Sequence, residues 1–410
     1  MAINFKNFIL PTRATKSFFD VEKTSVCAII PTYKPGELTV TLVEDLIRWN
    51  PRLAVYVVDD CTPRDEKDPF QIFEKIARVS SRITLLRTPA NALKAGALNY
   101  ALKYIFEGKK EYMPDVILTL DDDVVVSPTT VQNLVAELMS DNNLGAVCSQ
   151  CAVLNKDKNL LTRLQGLEYL GFNATRLADE GFYGGPLVMH GMLTAFRARA
   201  LFGAGGFAEK HLIEDYEITA RLKTRGWRVK AAINAYAWTK VPERFSVLWR
   251  QRTRWSYGGI TVIAKAKRAA PVLQDLLGHG VFFSTVLMID LLIVLTLFGG
   301  GAAHPQLARW IIGLSLLQVA VWYLFQLWLM RFYKEKDRYD WVLRASMVPE
   351  FVYSNILTLV VVGSYLFFIF TMLTRTVTQK NGLVPQGLVT RCRKLFLLVG
   401  YTDGWGTRVS

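Results

Sequence analysis

The chain has 410 residues, a formal net charge of +14 and a hydrophobic share of 51%. At about 100–200 residues per domain, that length admits two or three domains, and the charge points to nucleic acid, a membrane surface or an anionic substrate. Cys148-Ser-Gln-Cys151 has the spacing of half a zinc site, but no second Cys or His pair completes it; Cys27, Cys61 and Cys392 read as small core residues or free thiols of a reducing compartment.

The opening MAINFKNFILPTRATKSFF is too short and too polar for a signal peptide or a span, and reads as an interfacial amphipathic segment or a disordered arm. Val26–Ile30 is a short apolar run stopped by Pro31, as a buried strand would be. Glu37–Trp49 has helical spacing, Leu53–Val58 is a second strand ending on Asp59-Asp60, and Asp68–Val79 is a second helix. Ile83–Leu86 is a third strand, Ala92–Phe106 an alanine-rich helix, and Val116–Leu120 a fourth strand running into Asp121-Asp122-Asp123, with a helix near Pro128 beyond. Strands that are apolar throughout and alternate with helices predict a mostly parallel sheet covered on both faces. Ligands bind such sheets beyond the carboxyl ends of the strands, where PTYKP, DDCTP and DDD all fall.

Beyond residue 140 the pattern is less regular: 160–180 is helical, 181–210 is glycine-rich and reads as loops, and His211–Lys223 has helical spacing with Glu214-Asp215 near its start. Residues 281–298, with Asp290 alone charged, and the uncharged 310–330 and 351–373 each approach the roughly 20 apolar residues that span a bilayer. Lys240–Arg268 carries eight Lys/Arg against Glu243 alone. Basic residues ahead of a span favour the cytoplasmic leaflet, so a membrane is preferred to nucleic acid and residues 1–270 are expected in the cytosol.

Three neighbouring carboxylates raise one another's pKa and are costly unless a cation offsets them. The ordered set Pro31-Thr32-Tyr33, Asp59-Asp60, Lys94–Asn99, Asp121–Asp123, Glu214-Asp215 and Gln251-Arg252-Thr253-Arg254-Trp255 resembles the family 2 glycosyltransferases, specifically the processive membrane synthases of cellulose, chitin, hyaluronan and poly-N-acetylglucosamine. The likeness runs from about residue 24 to 260 and loosely through the spans. It implies a GT-A (Rossmann-like), mostly parallel α/β domain followed by an α-helical transmembrane domain. The expected layout is an arm over 1–23, a cytosolic catalytic domain over 24–240, interfacial helices with the QxxRW motif over 241–270, about three membrane helices over 271–374 and a basic tail over 375–410.

The resemblance also implies roles. Thr32, Tyr33, Asp59 and Asp60 would hold the uracil and ribose of a UDP-sugar, with Lys94 near the nucleotide. Asp121 and Asp123 take the outer places of the DxD motif around Asp122, and Asp123 is the expected direct ligand of Mg²⁺ or Mn²⁺. Asp215 matches the general base, with Glu214 beside it. Gln251, Arg254 and Trp255 match the motif beside diphosphate and acceptor. The chemistry asks for such groups independently, since a leaving diphosphate needs cations and a sugar hydroxyl needs a proton acceptor. The chain departs from the family at Cys61, where Gly is frequent and the change should only tighten the turn, at Ile213 for Thr, and at His190, which is either structural or faces the acceptor.

The implied protein is a multi-pass cell-membrane enzyme with the UDP-sugar, a growing polysaccharide and the lipid bilayer as partners, without nucleic acid, and with room for a second copy or an accessory export subunit. QRTRW is closest to cellulose and poly-N-acetylglucosamine synthases, so N-acetylglucosamine or glucose is the expected sugar. A single transfer to polyprenyl phosphate or another lipid is the alternative, and relatives of that kind generally lack QxxRW. A transporter with a nucleotide-sensing domain is poorly served by one ionisable residue in three spans. The topology holds a conflict. The loop Arg331–Arg344 carries five Lys/Arg and suits the cytosol. Three spans then put the basic tail outside, unless LFLLVG (395–400) is a re-entrant or interfacial segment.

Overall fold

The computed structural model describes residues 24–63, 67–108, 113–179, 183–209, 211–266, 271–275, 305–380 and 386–402, with isolated positions between 288 and 298. The amino-terminal arm, most of the stretch 281–298 with Asp290, and the last eight residues lie outside them.

Eight strands form one sheet: β1 (Val26–Thr32), β2 (Ala54–Asp59), β3 (Ile83–Arg87), β4 (Val116–Leu120), β5 (Val124–Val126), β6 (Leu144–Val153), β7 (Leu193–Arg197) and β8 (Arg228–Thr239), in the order β3-β2-β1-β4-β7-β6-β8-β5. The half built from β1 to β4 is parallel throughout. In the other half β7 runs antiparallel to β4 and β6, β6 is parallel to β8, and β5 is antiparallel to β8. The sheet is therefore mixed, with the expected parallel order confined to its first half.

Both faces are covered, which is why β1 is apolar without alternation. Ala28 and Ile30 face one core with Val40, Leu42 and Leu46 of α1 (Glu37–Trp49), Ile72 and Ile76 of α2 (Lys67–Val79), and Leu134 and Leu138 of α4 (Thr130–Met139). Cys27 and Ile29 face the other, with Leu98 and Leu102 of α3 (Leu93–Gly108), Leu201 of α6 (Ala198–Ala204), and Ile218 and Leu222 of α7 (Glu214–Thr224). This is the period of two expected of a strand. The helix α5 (Leu160–Ala178) starts on Asn159, whose side chain accepts from Thr162 N at 2.9 Å while Thr162 Oγ1 accepts from Asn159 N at 3.0 Å.

Two stretches differ from the sequence reading. The glycine-rich segment contains β7 and α6, because Leu193–Arg197 is short, wholly buried and bracketed by the turns that suggested a loop. Cys148 and Cys151 lie in β6, buried. The β6–β8 register shifts between Cys148 and Gln150, and the Gln150 amide donates to the carbonyls of Ala232 and Ile233 that the irregularity frees.

Two compact units are present, Met1–Lys265 with Ile356–Ser410 and Ala266–Asn355. The first also contains α8 (Phe245–Ala264), α12 (Gln386–Leu398) and the later part of α11 (Val348–Lys380). In the second, Arg344 of α10 (Arg338–Ser346) donates to Gln326 of α9 (Pro305–Leu329) at 2.6 Å and pairs with Glu350 at 3.0 Å. Arg309–Phe332 and Val348–Thr374 are long and apolar enough to cross a membrane, by length and composition.

Candidate active site

Register brings the acidic ends together. Ile29 of β1 pairs with Thr119 of β4, so three residues on Thr32 faces Asp122, and the Thr32 hydroxyl donates to the Asp122 carboxylate. Burial pushes the Asp122 carboxyl up to about 6; the Thr32 bond opposes this, and the neighbouring Asp123 and Asp121 add to it. Asp123 is also raised, first by burial and then by Asp121, and its Oδ2 accepts from Thr239 at the end of β8, 3.2 Å away.

The end of β2 is divided between structure and opportunity. Asp59 has both carboxylate oxygens engaged, one by the amide of Thr62 at 2.9 Å and the other by the Arg87 guanidinium. Asp60 is 2% exposed; its Oδ1 accepts from Ala92 N at 2.7 Å and Thr88 Oγ1 at 3.2 Å, while Oδ2 is buried without a hydrogen-bond partner. An acceptor left in that state is costly unless something brings a donor to it. Tyr33 is half-buried beside them, with the Lys34 ammonium 5.7 Å from its ring centre.

Lys94, in the first turn of α3, joins the two halves of the crevice. Its ammonium lies 2.5 Å from Asp121 Oδ1, 3.2 Å from Glu214 Oε1 and 3.3 Å from the Gly191 carbonyl. Burial by itself would lower its pKa, yet Asp121, Glu214 and Asp215 raise it overall, so Lys94 is a fixed positive charge among carboxylates. Glycine at 191 leaves the ammonium its place: a Cβ there would come within 2.4 Å of Lys94 Nζ and 3.4 Å of Asp215 Oδ2. Asp215 sits at the second position of α7 with Oδ1 accepting from Tyr216 N at 2.8 Å. Burial, then the charge of Glu214, push its carboxyl up to about 7 against the pull of Lys94. A carboxyl tuned toward neutral pH suits proton acceptance at that pH.

His190 lines the same cavity as Lys94, Gly191, Thr194, Glu214 and Asp215. Its Nε2 donates to the Ser149 carbonyl at 2.6 Å, which fixes the tautomer. Burial and then Arg176 lower its pKa to about 3, so the ring is neutral. Its Nδ1 is a buried acceptor with no hydrogen-bond partner.

The Gln251–Trp255 motif lies on α8. Gly258 of that helix packs on the residue before the acidic pair, where an added Cβ would come 2.5 Å from Ile213 Cγ1. Trp255 packs on the cluster of Leu212, Ile213 and Tyr216, whereas Arg254 points to the exposed side.

The sheet and its acidic crevice can now be compared with known proteins. Residues 27–201 match the family described as "Glycosyl transferase family 2", and residues 116–301 match "Glycosyl transferase family group 2". The chain is a family 2 glycosyltransferase. It is 29% identical over 293 residues to a Bacillus subtilis protein named "Probable glycosyltransferase YdaM", covering 68% of this chain and 67% of that one. It is 29% identical over 175 residues to the poly-beta-1,6-N-acetyl-D-glucosamine synthase of Staphylococcus aureus, covering 43% of this chain and 40% of that enzyme, so the match spans less than half of either. A mannosyltransferase from Pyrobaculum calidifontis, solved with GDP-Man and Mn2+, superposes with a TM-score of 0.53 at 21% identity, covering 80% of this chain and 90% of that one. That likeness shows the fold, a Rossmann-like GT-A domain.

Two residues of this family 2 glycosyltransferase had no role in the sequence reading. Arg252, 5% exposed, donates to Gln251 Oε1 at 2.7 Å and to Glu168 Oε2 of α5 at 2.6 Å, with its guanidinium 4.3 Å over the Trp255 ring. The motif pattern treats this position as variable, and Glu168 is 84 residues away, so no local signal joined them. Gly191 was noted only as one of many glycines.

Proposed function

We propose that the chain is a membrane-embedded, inverting glycosyltransferase. It would pass the sugar of UDP-N-acetylglucosamine or UDP-glucose to the end of a growing β-linked polysaccharide, processively, and feed the product into its membrane helices. One observation carries the reading: Asp215, raised to about 7, opens on the crevice where Lys94 ties Asp121 to Glu214. The name of the staphylococcal relative favours N-acetylglucosamine, and the two apolar helices support a membrane location.

In this reading the acceptor hydroxyl oxygen bonds to the anomeric carbon while the bond from that carbon to the diphosphate oxygen breaks. The electron pair leaves with UDP, and the hydroxyl proton passes to Asp215. Direct displacement with one base inverts the anomeric centre. Asp60 Oδ2 offers an acceptor to a nucleoside N–H or O–H, with Thr32, Tyr33 and Asp59 shaping that end. Trp255 would give a flat face to the terminal acceptor sugar, positioned by Arg252, and Gln251 would meet the diphosphate, with Arg254, exposed here, turning inward to join it. His190 Nδ1 accepts from an acceptor hydroxyl.

The donor set at the end of β4 suits a hard divalent cation: it is all oxygen, and burial, then the charge of Asp121, raise the carboxyl of Asp123. Among the described residues no group of three or more His, Cys, Asp or Glu is placed to hold a metal ion by itself. Asp121 and Asp123 would hold Mg²⁺ or Mn²⁺, which supplies positive charge to the leaving diphosphate. The test is to incubate purified protein with each UDP-sugar and Mn²⁺ and to size the product. Long polymer supports the reading; single addition to a lipid acceptor or no transfer overturns it.

A further inference from the structure

We propose that residues 386–402 form a clasp that returns to the catalytic unit, so that this segment lies on the catalytic side of the membrane, flat against α8, without a net crossing. The inference rests on the membrane reading above for its sidedness, but not for the clasp.

The clasp is built in sequence. The helix α12 ends in a reverse turn at Gly400, which has a φ of +88°. Gly400 N donates to the Leu397 carbonyl at 3.0 Å and Tyr401 N to the Phe396 carbonyl at 2.9 Å, the paired bonds of a Schellman ending. Its usual apolar contact is present too, between the rings of Phe396 and Tyr401 at 6.1 Å. The turn presents two carbonyls to the motif helix: Trp249 Nε1 donates to Val399 O at 2.7 Å and Thr253 Oγ1 to Gly400 O at 3.2 Å.

Tyr401 is the bolt. It is 3% exposed, its hydroxyl donates to the Val360 carbonyl of α11 at 3.0 Å, and Gly363 leaves the space for it, since a Cβ there would lie 2.2 Å from that oxygen. Phe367 continues the contact, with its ring 6.0 Å from Tyr401, 5.0 Å from Phe396 and 4.8 Å from Tyr257 of α8. Val360, Gly363 and Phe367 lie within Val348–Thr374, itself long enough to cross a membrane, so the side follows from α8: Trp249 and Thr253, which precede both apolar helices, hold the turn at Val399 and Gly400.

The outer face suits the lipid surface that would cover it. Leu395, Leu397, Leu398 and Val399 are at least half exposed, and Phe245 and Val247 at the start of α8 are exposed too. Arg391, Arg393 and Lys394 are exposed beside them, and α12 contains no acidic residue. An apolar stripe with a cationic border is the pattern of a helix lying in an anionic interface. With the basic tail on the cytosolic side, the positive-inside tendency is met, and the chain between Lys265 and Gln386 crosses an even number of times.

Natural reporters test the sidedness. Cys61 and Cys392 are partly exposed, whereas Cys27, Cys148 and Cys151 are buried. Intact spheroplasts are treated with a membrane-impermeant maleimide before and after permeabilisation, using the Cys61→Ser and Cys392→Ser variants to assign the label. The proposal expects both cysteines to label only after permeabilisation. Labelling of Cys392 in intact cells while Cys61 is protected overturns the sidedness. Release of the chain by carbonate overturns the membrane reading and the sidedness with it. The clasp is judged separately in detergent: trypsin should cut at Arg391–Lys394 about tenfold faster in Tyr401→Ala than in the parent, with Tyr401→Phe between them. Equal cleavage of all three overturns the clasp.

Discussion

The guanidinium of Arg252 lies 4.3 Å over the ring of Trp255 and holds Gln251 at 2.7 Å, so one buried cation orients two members of the motif. Its counter-charge, Glu168, lies 2.6 Å away with its side chain 11% exposed. Removing one partner of such a pair strands the other, at a cost of about 3–5 kcal/mol. Arg252→Ala should therefore unfold at markedly lower temperature. Arg252→Lys keeps the charge but loses the planar fork, and should fold while its transfer rate falls. A calorimetric scan beside a transfer assay checks both; normal transfer in Arg252→Lys would contradict the positioning role.

Gly191→Ala tests the contact between the two halves of the crevice. The added methyl would meet the Lys94 ammonium 2.4 Å away, and the flexible lysine would yield before the backbone does. Lys94 then leaves Asp121 and Glu214. The fold should survive with an unchanged circular dichroism spectrum, and transfer should drop by about 10²-fold, as misplacements of an ångström do.

Acid should silence the enzyme in a defined window. Asp215 accepts a proton only when ionised and its carboxyl is pushed up to about 7 by burial and Glu214, so kcat/KM should fall as pH drops through about 7. The sign for stability is opposite. A carboxyl whose pKa is higher folded than unfolded contributes stability below its ordinary pKa, and that contribution is lost as pH rises through about 7. Asp215→Asn should be more stable than the parent at pH 8, and the difference should shrink toward pH 4. Melting curves at the two pH values check this.

Cys61 occupies the left-handed region with a φ of +57°, in the turn after Asp60. Cys61→Gly relieves that strain but adds freedom to the unfolded chain. The net change should lie between zero and about 1 kcal/mol of stabilisation, while Cys61→Val should destabilise. Urea titration of the two variants measures the difference.

The strands β1 to β4 were legible in the sequence because each is an apolar run with turn residues behind it, and their ends foretold that Asp59, Asp60 and Asp121–Asp123 share one edge. Beyond β4 the helices α5 and α7 stayed legible while the strand signal failed: β6 carries Ser149 and Gln150 in its middle, and β7 hides between glycines. The chemistry of the crevice was legible as a residue set but not as a circuit. That Thr32 bonds Asp122, that Arg87 and Thr62 engage Asp59, and that Lys94 bridges Asp121 to Glu214 all follow from strand register and long-range packing, which no local pattern encodes.

The central claim, that Asp215 accepts the proton of the sugar nucleophile, is met most directly by the transfer rate of Asp215→Asn with UDP-N-acetylglucosamine and UDP-glucose, beside UDP affinity measured by calorimetry. A lost general base typically costs about 10²–10⁴-fold. The account predicts a fall of that size with UDP affinity nearly unchanged, because the groups assigned to the nucleotide are other residues. A variant that transfers at near the parent rate, or that loses UDP binding to the same degree as transfer, would contradict it.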